Sequence, residues 1–179
     1  MANVHYLNLV LGAGAIALQV LAALALVLLF LRLRNNKYLN FLDKHYLVLG
    51  FLISLGAALF SLVYSEVVGF LPCYLCWYQR VFLFPAPFIF GAAIWSKERK
   101  IVKYVLPLFS VGFILAVYQS FYYYFGGNSN LPCDASGVSC YQRLVSEYGG
   151  YISIPMLSLT AFFALITLCL VAHFYKRAD

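Results

Sequence analysis

Acidic residues are almost missing from this sequence: 6 Asp and Glu stand against 12 Lys and Arg in 179 residues, and charged residues of both signs make up 10% of the chain. So little charge cannot cover the surface of a soluble domain of this size. The 64% hydrophobic content and the mean hydropathy of +0.87 place the chain in a lipid bilayer instead. Histidine is missing from the loops that carry cysteine, which argues against a zinc site built from those thiols. Tandem repeats and low-complexity tails are absent as well. The first hydrophobic run lacks a basic leader and a small-residue cleavage site, and ends in Arg32-Leu33-Arg34. It reads as a retained helix and not as a removable signal.

Long apolar runs are what the chain does have. A spanning helix takes about 20 apolar residues, and the stretches 7–31, 45–65, 77–96, 104–124 and 155–174 each qualify. None alternates as barrel strands do, so the expectation is an all-α integral membrane protein. Pro85 and Pro87 should kink the third span. The basic residues set the orientation. Arg32, Arg34, Lys37 and Lys44 precede the second span, Lys97, Arg99, Lys100 and Lys103 separate the third from the fourth, and Lys176 and Arg177 follow the fifth. Only Arg80 and Arg143 fall on the other side, with Glu66, Asp134 and Glu147. By the positive-inside rule the N-terminus lies outside and the C-terminus in the cytoplasm. These cations are scattered over short turns and form no basic surface. The bilayer is therefore the expected partner, and nucleic acid is not.

Five cysteines stand at 73, 76, 133, 140 and 169. The first four face the outer side, where disulfides persist. Two readings are open for them: exchangeable redox pairs or structural staples. For Cys73 and Cys76 the Cys-x-x-Cys spacing favours redox, because the closed loop is short and a nearby cation lowers a thiolate pKa. That cation is Arg80, four residues beyond Cys76 and on the same helical face. Cys133 and Cys140 close a polar loop, where stiffening and exchange are equally compatible with the spacing. The long outer connection 126–154 is rich in turn residues. Within it 140–148 sets Cys140, Leu144, Val145 and Tyr148 on one face, which fits a short surface helix. Cys169 lies deep in the last span and reads as packing. The aromatic residues Tyr118 and 121–125 at the outer end of the fourth span read as an interfacial belt.

The runs Ser61-Leu62-Val63-Tyr64-Ser65-Glu66, Pro72-Cys73-Tyr74-Leu75-Cys76-Trp77-Tyr78-Gln79-Arg80 and Tyr151-Ile152-Ser153-Ile154-Pro155-Met156-Leu157-Ser158-Leu159 resemble the disulfide bond formation protein B (DsbB) family, most nearly its BdbC-like branch. The resemblance covers 45–177 and implies a DsbB-type four-helix transmembrane bundle in 45–179, with catalytic outer loops at 73–76 and 126–154. Residues 1–44 add a further N-terminal transmembrane helix and a cytoplasmic turn. The family further implies a bacterial cytoplasmic membrane protein that re-oxidises a DsbA-like thioredoxin-fold thiol oxidase and passes electrons to a quinone, ubiquinone or menaquinone. On that resemblance Cys73 and Cys76 are the quinone-proximal pair, Cys133 and Cys140 the partner-facing pair, and Arg80 a quinone ligand. Some members carry a histidine near the outer end of the penultimate helix that helps bind quinone; this chain has Gln119 there, with Tyr122 among the tyrosines beside it, and the resemblance implies that these two join Arg80 in holding the quinone.

A vitamin K epoxide reductase-like enzyme would place the quinone-side pair after the loop cysteines, the reverse of the order here. A disulfide-stapled scaffold of tetraspanin type would keep both pairs oxidised whatever the quinone supply. The orientation is tested by labelling single cysteines introduced into 32–44 and 97–103, which should react only once the cytoplasmic side is opened. Labelling of those segments from outside would reverse the topology.

Overall fold

The structure, a computed structural model, describes residues 2–31, 36–125 and 145–175. Its helices are α1 (Ala2–Phe30), α2 (Lys37–Leu62), α3 (Tyr74–Leu83), α4 (Pro85–Ser96), α5 (Val102–Phe125) and α6 (Ile154–Phe174). A π-helical segment, Val63–Val67, continues α2, and a 3₁₀ turn, Arg99–Ile101, leads into α5. Among the described residues no strand occurs, only one isolated bridge between Glu147 and Ile152. Cys133, Cys140, Asp134 and Arg143 lie outside the described residues, as do Arg32, Arg34, Lys176 and Arg177.

Among the described residues four helical stretches are long and apolar enough to cross a bilayer: Val4–Phe30, Lys37–Val67, Arg99–Phe125 and Ile154–Phe174. The third expected span is divided. Pro85 has no N–H to donate, so α3 stops at Leu83 and α4 starts at Pro85, with Phe84 between them. Neither piece alone has spanning length, but in succession they fill 74–96.

Two ends of the bundle are distinct. At one, Arg99 Nη2 pairs with Asp43 Oδ1 at 2.6 Å, Tyr46 donates to the Arg99 carbonyl and Tyr175 donates to the Asn36 carbonyl. The cation-rich turns therefore gather together. At the other end lie Cys73, Glu147 and Ser153, the last an N-cap accepting from Met156 N. There, left-handed Tyr148 (φ 53), Gly149 (φ 69) and Gly150 (φ 88) reverse the chain and bring Glu147 back to Ile152. Three successive left-handed residues cannot continue a helix. The surface helix expected over 140–148 is thus not formed at 145–148, and its first half lies outside the described residues.

A central cluster built on Phe90, Phe109, Phe162 and Leu165 locks α4, α5 and α6 together. Its tightest point is Gly112, where an added Cβ would lie 2.4 Å from the Phe162 ring. The first helix joins the bundle through polar bonds. Gln19 donates to Thr160 of α6 at 2.6 Å and accepts from Tyr151 at 2.8 Å, Tyr148 donates to the Leu9 carbonyl at 2.8 Å, and His5 meets Glu147 at 3.0 Å. Inside an apolar bilayer such groups find partners on neighbouring helices, and in doing so they fix the register of α1. Gly112→Val should lower the thermal midpoint in detergent by an amount matching the ~1–3 kcal/mol of an overpacked core. Gly14→Ala, whose methyl meets no atom within 4 Å, should not lower it.

Candidate functional site: a dithiol on a buried cavity

Gly69, at φ 82, ends the π segment and turns the chain towards Pro72. Cys73 then caps α3 with extended backbone (φ −70, ψ 169), and its carbonyl accepts the first helical bond from Trp77 N at 3.1 Å. Cys76 therefore falls in the first turn, where unpaired N–H groups favour negative charge. The two sulfurs stand unbonded at 3.3 Å, Cys73 buried and Cys76 half-buried.

The pair divides its protons unequally. The hydrogen bond from Cys73 is the main influence lowering the Cys76 thiol to about 6. Burial opposes it, while the Gln119 amide and then the Arg80 charge reinforce it. The Cys73 thiol is pushed up by the same shared hydrogen bond and by burial. The shared hydrogen bond thus favours the thiol at Cys73 and the thiolate at Cys76. The sequence assigned the depression to Arg80 first; in the structure the partner sulfur and Gln119 outweigh it.

Gln119, on α5, is where the resemblance placed it. Its Nε2 stands 3.5 Å from both sulfurs, and its Oε1 accepts from Gln79 Nε2 at 2.7 Å. Gln79 Oε1 in turn accepts from the Ser158 hydroxyl of α6. A chain of polar side chains thus crosses α6, α3 and α5, and it turns the donor end of the Gln119 amide towards sulfur. Arg80, 8% exposed, gives Nε to Ser61 Oγ at 3.0 Å and Nη2 to the Ser61 carbonyl at 2.9 Å. Its carbon Cζ lies 5.1 Å from the Trp77 ring and 5.7 Å from the Phe84 ring. Among the described residues no carboxylate pairs with it.

Cys73, Cys76, Gln79, Arg80 and Gln119 line one cavity of about 350 Å³ with apolar residues of α1, α2 and α6. Tyr122 is not brought to it. Gln119, Ser120 and Tyr123 take the buried face of that turn of α5, which leaves Tyr122 39% exposed between the rings of Tyr118 and Phe121. Tyr123 instead fastens the segment before α6 by donating to the Val145 carbonyl. Sequence reasoning missed Ser61, Gln79 and Ser158 as supports of the site. Ser61 and Ser158 lie inside the quoted family runs, and Gln79 precedes Arg80 directly, so position alone marked them.

Fold and site define an all-helical, multi-pass membrane protein with a cysteine pair lining a cavity within the bundle. The model of the family "Disulfide bond formation protein DsbB" matches residues 43–172, and the chain belongs to that family of membrane proteins of disulfide bond formation. The chain is 34% identical over 141 residues to the "Probable disulfide formation protein C 2" of Bacillus anthracis, a match covering 79% of this chain and 99% of that protein. It is 35% identical over 127 residues to the "Disulfide bond formation protein C" of Bacillus subtilis (strain 168), covering 70% and 91%. It is 38% identical over 132 residues to the "Probable disulfide formation protein" of Chlamydia trachomatis serovar D, covering 73% and 94%. No solved structure gives a significant match.

The thiolate is the species that reacts with alkylating reagents, so its fraction follows pH through the Cys76 pKa. With Cys76 lowered to about 6, alkylation of the reduced protein should be near its plateau at pH 7 and fall on acidification through pH ~6. Gln119→Leu should move that profile to higher pH, since it deletes a donor to the thiolate. A profile centred at the free-thiol value of ~8.5 would contradict the assignment.

Proposed function

We propose that this protein re-oxidises an extracytoplasmic, thioredoxin-like thiol oxidase and delivers the electrons to a membrane quinone. The observation that carries the reading is the juxtaposition, on one apolar cavity, of a thiolate-biased Cys76 with a buried Arg80 that has no carboxylate partner among the described residues. A structural staple would need neither.

The residues fit a quinone. Ser61 engages two of the five N–H donors of the Arg80 guanidinium, which leaves donors for a carbonyl oxygen, and the apolar walls suit a lipid-soluble ring. Arg80 and Gln119 would hold it beside Cys76. Bound there, a quinone supplies an acceptor for two electrons and two protons. This chain's own residues manage the rest. Cys73 keeps its proton while Cys76 carries the charge, Gln119 and Arg80 stabilise that charge, and the cavity walls exclude water.

The route from the partner follows thiol–disulfide exchange. The partner's thiolate attacks Cys133 of an oxidised Cys133–Cys140 pair, and a mixed disulfide forms as Cys140 leaves. The partner's second thiolate then releases Cys133 and carries away the new disulfide. Cys140 next attacks Cys73 of the oxidised Cys73–Cys76 pair, and Cys76 departs as thiolate. Attack by Cys133 on Cys140 restores the loop disulfide and leaves Cys73 and Cys76 reduced. Two electrons have then moved from the partner's dithiol to the inner dithiol.

Replacement of single cysteines by serine, followed by acid trapping of mixed disulfides, tests the route. Cys133→Ser should abolish the trapped complex with the reduced partner, whereas Cys76→Ser should leave it formable and stop turnover. Arg80→Gln should lower turnover with quinone by more than tenfold while exchange between the partner and Cys133 continues. Lysine at 80 should be intermediate, because it keeps the charge and loses the planar fork. Wild-type turnover in Arg80→Gln across quinone concentrations would remove the quinone from this cavity.

A further inference from the structure

The family model begins at residue 43, so α1 lies wholly outside it, and yet α1 supplies Val10, Leu11, Gly14, Ala15 and Leu18 to the wall of the cavity that holds Cys76 and Arg80. Where α1 meets α2 and its π-helical continuation, side-chain bonds pin the two at separate points. Near the dithiol end Tyr64 donates to Asn8 Oδ1 at 2.7 Å, both residues being buried. Near the basic end Tyr38 donates to the Leu21 carbonyl at 3.0 Å. Between these pins the helices present glycine to the cavity from both sides, Gly14 on α1 and Gly56 on α2, and a Cβ built on either would meet no heavy atom within 4 Å. This contrasts with Gly12, two residues earlier and on the opposite side of α1, where a Cβ would come within 2.6 Å of the Tyr148 ring, and with Gly50 on α2, where it would come within 2.7 Å of the Phe90 ring. Those glycines are spent on close packing, and Gly14 and Gly56 are not.

Gly14 is exposed and Gly56 half-buried, at the middle of helices whose outer faces are apolar. The opening therefore faces hydrocarbon. A ligand that reaches the buried Arg80 from the bilayer would pass here without crossing the polar outer loops.

We propose that the gap between α1 and α2, framed by Gly14 and Gly56 and held open by the Asn8–Tyr64 and Leu21–Tyr38 bonds, is the lateral portal through which a lipid-soluble quinone enters the site. The inference rests on the quinone reading above, and it assigns α1 the function of forming one jamb of the doorway. Ser61 and Phe60 on the α2 side and Leu18 on the α1 side complete the passage towards Arg80.

Binding alone can be followed, without turnover. Trp77 packs on Arg80, and Trp95, the only other tryptophan, is 91% exposed. In a Trp95→Phe background, quenching of Trp77 is recorded after mixing protein in phosphatidylethanolamine–phosphatidylglycerol vesicles with vesicles carrying decylubiquinone. The series Gly14→Ala, Gly14→Leu and Gly14→Phe, and the same series at Gly56, should slow the quenching progressively, by tenfold or more at phenylalanine. The outward-facing control Val20→Phe should not change it. The alanine variants, whose methyl enters open space, keep the test valid if phenylalanine impairs folding. Folded variants at both glycines that quench at the wild-type rate would overturn the portal and leave the quinone site standing. Absence of saturable quenching in the otherwise wild-type chain would remove the quinone reading, and the portal with it.

Discussion

A guanidinium inside an apolar bundle is the costliest group in this molecule, and the arrangement around the dithiol follows from keeping it there. Desolvation of a cation is tolerated only where hydrogen bonds and polarisable faces replace water. Arg80 receives these from Ser61 on the preceding helix and from the rings of Trp77 and Phe84 on its own side. None of these partners is charged, so the positive potential is not quenched locally. It extends into the cavity, where it favours a negative charge on the sulfur of Cys76.

The same economy governs the neutral polar groups. Ser158, Gln79 and Gln119 are all buried or nearly so, and each satisfies the next. An amide placed between a donor and two sulfurs has only one useful orientation, which is why three helices must be in register before the thiolate is stabilised. Low dielectric strengthens each of these bonds and penalises each vacancy. The site is therefore a test of bundle assembly as much as a product of it.

Much of this was legible in the sequence, for identifiable reasons. Spanning segments announce themselves by length and hydropathy, and the pair Cys73 and Cys76 with Arg80 is local, set by spacing within one helix. Gln119 was reached by resemblance, and the structure brings it to both sulfurs. The supports were not legible, because Ser61 and Ser158 are separated from their partners Arg80 and Gln79 by 19 and 79 residues, and nothing in a helical period reports which helix lies beside which. Nor did the sequence show which residues of that turn of α5 face inward: Gln119, Ser120 and Tyr123 take the buried face, and Tyr122 does not line the cavity. The amphipathic pattern at 140–148 pointed to a helix, yet over 145–148, the part of it that is described, the adjoining Gly149 and Gly150 favour a reversal and turn chemistry prevails over periodicity.

The bonds from α1 to α6 and to the turn before it join residues 132 to 142 positions apart in the chain. During synthesis at roughly 5–20 residues per second, the first helix waits on the order of ten seconds for its partners to emerge. Throughout that interval Gln19 sits in a membrane-bound nascent chain with its final neighbours, Tyr151 and Thr160, not yet made. The contacts of α1 with α6 can consequently be completed only after the last helix has emerged. The first helix is thus held in place by the segment made last.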